Sequence, residues 1–104
     1  MIPSALLRQS VTVASYEGEG AAGPVFGEPV AYPARVEERR RLLQSGSGEV
    51  IASEAVAYLR PDVPIKVGDR VGLFGRDLRV LAVAEMRGLS RIEYLDVTLG
   101  RSES

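Results

Sequence analysis

The stretch "YEGEGAAGPVFGEPVAYPARVEE", residues 16–38, separates two fold classes. Gly18-Glu19-Gly20-Ala21-Ala22-Gly23 is a literal G-x-G-x-x-G. A dinucleotide-binding fingerprint needs a strand before the glycines and a helix after them, because free amides at the helix N-terminus hold the pyrophosphate. Here Pro24, Gly27 and Pro29 come after the glycines, and no helix can begin there. Next comes clean period-two alternation: Val30, Tyr32, Ala34 and Val36 against Ala31, Pro33, Arg35 and Glu37. That period marks a half-buried strand. The glycine string therefore reads as a flexible, Gly/Pro-rich hairpin tip over residues 16–29 between two strands, not as a nucleotide cradle. Pro33 cannot donate to a ladder, which predicts an edge position or a bulge.

Working outward, "SVTVAS" puts Val11 and Val13 on one face. "EVIASEAVAYL", residues 49–59, is apolar on both faces in its second half, with Val56 and Tyr58 opposed to Ala55, Ala57 and Leu59. A doubly buried strand and a short alanine-rich helix both fit; turn-like flanks favour the strand. Pro61 and Pro64 make residues 60–68 a connector, and Gly68-Asp69 supplies a turn. "RVGLF" and "DLRVLAVAEM" form a hairpin around Gly75-Arg76. "RIEYLDVTL" slips phase between Tyr94 and Leu95, which predicts a bulge there. Residues 1–9 form an arm or one helical turn, and 100–104 a frayed tail. The sum is about six antiparallel strands in a single all-β domain: a small β-barrel with two long flexible loops.

Composition narrows function. The 104 residues carry 45% hydrophobic and 26% charged side chains, an ordinary globular mix for one domain. With no cysteine and no histidine, disulfides, thiolate metal sites, Ser-His-Asp triads and Cys-His pairs each lose a required member. Net charge is −1, which removes the electrostatic case for a dedicated nucleic-acid binder. Lys66 is the only lysine; the other basic residues are arginines. Asp62, Asp69, Asp77 and Asp96 show no metal-ligand spacing, and Asp62 and Asp69 read as turn residues bonding local amides. Tyr16, Tyr32, Tyr58 and Tyr94 are scattered over different strands, as packing residues are. No catalytic residue, cofactor site or metal site is expected, and the reading is non-enzymatic.

The most unusual local feature is "EERRRLLQSGSGE", residues 37–49. It reads either as a solvated hairpin end or as a projecting hairpin, residues 39–48, that touches a partner or phosphates. The candidate contact residues are Arg39, Arg40, Arg41, Leu42, Leu43, Gln44, Ser45, Gly46 and Ser47. Two adjacent leucines beside a mobile tip are best explained by packing on the barrel or on a neighbouring subunit. A second candidate docking loop contains Glu17, Glu19, Val25 and Phe26.

Four pieces in order, "VTVASYEGEGAAGPVFGEPVAYPARVEERRRLL", "GEVIASEAVAYLRPD", "IKVGDRV" and the pair "RDLRVLAVAEM" with "IEYLDVTL", together resemble the head-closure proteins of long-tailed bacteriophages, also called stopper or head–tail joining proteins. The resemblance spans roughly residues 10 to 99, and no single piece is specific. It implies a β-barrel that forms a ring of identical subunits at the head–tail junction of the virion, assembled in the bacterial cytoplasm. Such a ring retains packaged DNA and offers the tail its docking surface. The implied partners are further copies of the chain, a portal-side adaptor, a tail-terminator or tail protein, and double-stranded DNA passing without sequence-specific binding; no membrane is involved. By order along the chain, the 39–48 hairpin matches the loop that projects into the channel. A tail-terminator or tail-tube ring is the nearest alternative, and a small barrel nucleic-acid-binding module is the alternative of another class.

Overall fold

The computed structural model describes residues 9–44, 48, 50–89 and 91–101. Its ten strands, in chain order, are β1 Gln9–Ala14, β2 Tyr16–Gly20, β3 Gly23–Phe26, β4 Val30–Glu37, β5 Leu42–Gln44, β6 Val50–Ala52, β7 Ala55–Leu59, β8 Arg70–Leu73, β9 Arg76–Arg87 and β10 Ile92–Gly100. Six of them close an antiparallel barrel in the order β1-β4-β7-β10-β9-β8, with β8 returning to β1. The other four form two two-stranded hairpins, β2–β3 and β5–β6. Among the described residues there is no helix. The expected small, single-domain all-β barrel is the fold.

Closure removes the free edges an open sheet would expose. Period-two alternation fills the interior: Val11 and Val13 from β1, Ala55, Ala57 and Leu59 from β7, Leu78 and Val80 from β9, and Leu95, Val97 and Leu99 from β10 are all buried. The core is built almost wholly of Val, Ala and Leu, which suits a narrow barrel with little room for rings.

The connections matter most for function. The β2–β3 hairpin joins the end of β1 to the start of β4, and the β5–β6 hairpin joins the end of β4 to the start of β7. Since β4 runs from one end of the barrel to the other, the two hairpins leave from opposite ends.

Several local expectations need correction. Residues 49–59 are not one strand. Ser53 and Glu54 break the run into β6 and β7, because buried Ser53 ties back to Arg41: its amide donates to the Arg41 carbonyl (2.8 Å) and its Oγ accepts from the Arg41 amide (2.9 Å). The second half is doubly buried as expected; Val56, on the outer face, is 0% exposed. The Gly/Pro-rich stretch is a paired hairpin over most of its length, with Gly18 and Gly23 at φ of 116° and 120° where other residues would be strained. Pro33 sits in a strand with two neighbours, but β7 pairs only from Ala34 onward, so β4 has one partner at that position. The β10 bulge lies between Ile92 and Tyr94, not after Tyr94, and it turns Tyr94 outward while Leu95 faces the core. A second irregularity between Thr98 and Leu99 was not foreseen. The β8–β9 turn is Phe74-Gly75, with φ of 48° and 78°, rather than Gly75-Arg76. Both residues in the left-handed region match the twist of a two-residue hairpin. A phenylalanine there is unusual, and its ring is 61% exposed. Gly100 is paired within β10, and β1 begins at Gln9; the rest of the expected arm, and Ser102, Glu103 and Ser104, lie outside the described residues.

Candidate functional site

Three surfaces carry the candidate residues, and each is built on the strand pattern beneath it.

The first is the β2–β3 hairpin. Its base is clamped to the barrel by two rings and two arginines. Tyr16 and Phe26 pack with centroids 5.7 Å apart. The Arg70 guanidinium lies 4.5 Å from the Phe26 ring, and that of Arg79 lies 4.9 Å from Phe26 and 5.2 Å from Tyr16. Cation–π contacts of this kind contribute about 0.5–1 kcal/mol each when exposed. Asp69, 1% exposed, accepts the Tyr16 amide at 2.9 Å and so fixes the first residue of the hairpin. Beyond the base the hairpin is acidic. Glu17 and Glu19 are exposed, as is Glu28 just after β3, and residues 9–34 contain no lysine or arginine. The Tyr16 hydroxyl donates to Glu19, and this bond raises the Tyr16 pKa above its ordinary value of 10.0. Of the four predicted docking residues, Glu17, Glu19 and Val25 are exposed, whereas Phe26 anchors the hairpin.

The second surface is the outer face of β4, β7 and β10. Arg35, Tyr58 and Asp96 are aligned across the three strands, as are Glu37, Val56 and Thr98. Arg41 folds onto this face. Its guanidinium holds Asp96 through two bonds, Nη1 to Oδ1 at 2.9 Å and Nη2 to Oδ2 at 3.3 Å, and reaches Thr98 Oγ1 at 3.3 Å. The Asp96 bond raises the Arg41 pKa further, against the opposing effect of burial. The Tyr58 hydroxyl donates to Glu37 at 3.1 Å, and its ring meets Tyr94 edge-on at 5.9 Å. Burial, then the Glu37 bond, pushes the Tyr58 pKa above 10.0. Arg41 is thus a structural clasp for the segment entering β5. Replacing it with alanine strands a mostly buried Asp96, and we expect a loss of about 2 kcal/mol. Chemical denaturation checks this, and Arg41→Lys, which cannot make the two-pronged contact, should recover only part of the loss.

The third surface is a groove of about 1380 Å³ between the β5–β6 hairpin and the barrel wall. Val50, Ala52, Val67, Gly68, Val80 and Leu81 are among the residues that line it. Five arginines rim it: Arg39, Arg40, Arg76, Arg79 and Arg101, against two glutamates, Glu38 and Glu54. Some of this charge is paired. Arg76 reaches Glu38 at 2.7 Å and Glu54 at 3.7 Å, and Arg39 reaches Glu37 at 3.6 Å. Arg40 is exposed and makes no ion pair among the described residues. Glu54 Oε2 is buried and accepts no directed hydrogen bond, although Arg101 Nε lies 3.3 Å away.

The predicted 39–48 cluster is therefore divided. Arg39 and Arg40 face the groove, Arg41 is committed to the barrel, and Leu42, opposite Ala52 on β6, is 75% exposed. Packing on its own barrel does not cover Leu42. Leu43 and Gln44 pair with Ile51 and Val50 across the hairpin, while Ser45, Gly46 and Ser47 lie outside the described residues. Sequence reasoning missed Arg76, Arg79, Arg101 and Glu54. Strand parity offered a signal for one of them: with Leu78 and Val80 inside, Arg79 must face out. Among the described residues no three acidic side chains gather as a metal site, and no helix is long and apolar enough to cross a membrane.

No protein-family model matches the chain, and no curated protein matches it.

Proposed function

We propose that this chain is a structural, non-enzymatic ring component at the head–tail junction of a tailed bacteriophage, of the head-closure type. One observation carries the reading: a closed barrel bears two hairpins of opposite chemical character, each inserted between different barrel strands. One is acidic, the other borders an arginine-rimmed groove and bears an exposed leucine. A subunit that contacts its neighbours head-to-tail needs two different sticky surfaces, and rings close when the rotation between copies allows it. A near-neutral chain suits a channel through which DNA slides, because strong phosphate binding would hold the genome in place. The order of sequence pieces supports the same family.

Particles made from a genome lacking this chain supply the test. They should have filled heads that lose DNA and carry no tails. Stable, tailed, infectious particles without the chain contradict the reading, and a tail-tube or tail-terminator role predicts retained DNA with aberrant tails.

The five arginines of the groove favour a second reading, a small nucleic-acid-binding module. It requires tight, salt-dependent binding dominated by Arg39 and Arg40. A flat titration with single- and double-stranded DNA at low salt removes it.

A further inference from the structure

The acidic hairpin and the arginine-rimmed groove are complementary to each other, and a chain carrying both can bind itself head-to-tail. We propose that the tip of the β2–β3 hairpin of one copy seats in the groove of the next. This deepens the ring reading and rests on it.

Charge is the first argument. The hairpin carries Glu17 and Glu19, and Glu28 follows it, with no basic residue near them in sequence. The groove carries five arginines against two glutamates. Although Arg39, Arg76 and Arg101 meet glutamates and Arg79 packs on the hairpin base, the groove keeps an excess of positive charge, in which Arg40 makes no ion pair among the described residues. Charge patterns of this kind fix register and reject wrong partners. Shape is the second. The tip, Gly20-Ala21-Ala22-Gly23, has no side chain larger than a methyl group, and the Ala21 and Ala22 amides lie outside the β2–β3 ladder. The tip is a thin edge with amide donors to offer. The third argument is the apolar lining: Val50 and Val67, 66% and 61% exposed, flank the place where the tip and Val25 of the neighbour would lie. Within one chain the hairpin is clamped at its base by Asp69, Arg70 and Arg79, which leaves the tip pre-positioned and lowers the ordering cost of contact.

The chain has no cysteine, so engineered thiols report cleanly. Ala22→Cys and Val50→Cys variants carrying different tags are mixed at the highest soluble concentration with a short bismaleimide. A mixed dimer containing both tags is expected, far exceeding either like-with-like product, and a chain bearing both substitutions should give a ladder of oligomers. Reversing charge on one side, by Glu17→Arg with Glu19→Arg or by Arg39→Glu with Arg40→Glu, should lower the yield more than about ten-fold. Carrying both reversals in one chain should restore it. No mixed dimer, or a yield indifferent to either reversal, overturns the groove assignment. The ring reading survives that result, because its own test is the phenotype of particles lacking the chain.

Discussion

Replacing Asp69 with alanine should cost about 3–4 kcal/mol and lower the melting temperature by roughly 12–32 °C, given about 4–8 °C per kcal/mol for a domain near this size. The Asp69 side chain is buried at 1% exposure and serves two segments at once. Oδ1 accepts the Tyr16 amide at 2.9 Å and the Lys66 ammonium at 2.8 Å; Oδ2 accepts the Lys66 amide at 2.9 Å. The alanine variant strands two backbone donors, each worth about 1–3 kcal/mol when left unpaired. Loss of the ammonium contact adds little, since Lys66 is 57% exposed. Such a loss is a large fraction of the roughly 5–15 kcal/mol of a typical domain. Asp69→Asn keeps one acceptor and turns the other into a donor facing an amide, so about half the loss should remain. Hydrogen exchange should show early opening at Tyr16, because the carboxylate ties the acidic hairpin to the barrel. A change below about 1 kcal/mol for Asp69→Ala would show that water replaces the carboxylate without strain.

The second large effect belongs to Leu59. It lies in β7 opposite Ala34 on β4 and opposite Leu95 on β10, and it is fully buried. Its inward neighbours on β7 are alanines, Ala55 and Ala57, which cannot extend into a vacated space. Leu59→Ala should therefore cost about 3–4 kcal/mol, within the range of about 2–5 for such truncations. Urea unfolding should show a lower midpoint at unchanged slope. Leu59→Met, which conserves volume, should cost less than about 1.5 kcal/mol. Equal, small effects from both substitutions would mean that the barrel interior is not closed around β7.

The barrel staves were legible because alternation is a local property: Val11 and Val13, or Ala34 and Val36, declare their face within a few residues. The excursions were harder. Ser53 looks like one more residue of a strand until its amide and hydroxyl are seen bonded to Arg41, twelve residues away. The β10 bulge shows in sequence as a phase slip, but the slip cannot say which of Ile92, Glu93 or Tyr94 takes the extra position. The three arginines of residues 39–41 read as one cluster, and only tertiary contacts divide them: Asp96 and Thr98, more than fifty residues downstream, take Arg41 and leave Arg39 and Arg40 to the groove. Arg76, Arg79 and Arg101 join them from β9 and the end of β10, a gathering that closure of the barrel creates and no short window contains. Asp69 was legible as a turn residue, and its bond to Lys66 bears that out; its hold on Tyr16, 53 residues away in sequence and brought close by the β1–β8 pairing, was not.

The most direct measurement is an electron cryo-microscopy reconstruction, at side-chain resolution, of the neck of particles whose genome encodes this chain. The account predicts a ring of these barrels between the portal-side adaptor and the tail, in which each β2–β3 hairpin meets the groove of its neighbour. A neck built entirely from other polypeptides, with this chain absent from the particle, would contradict it.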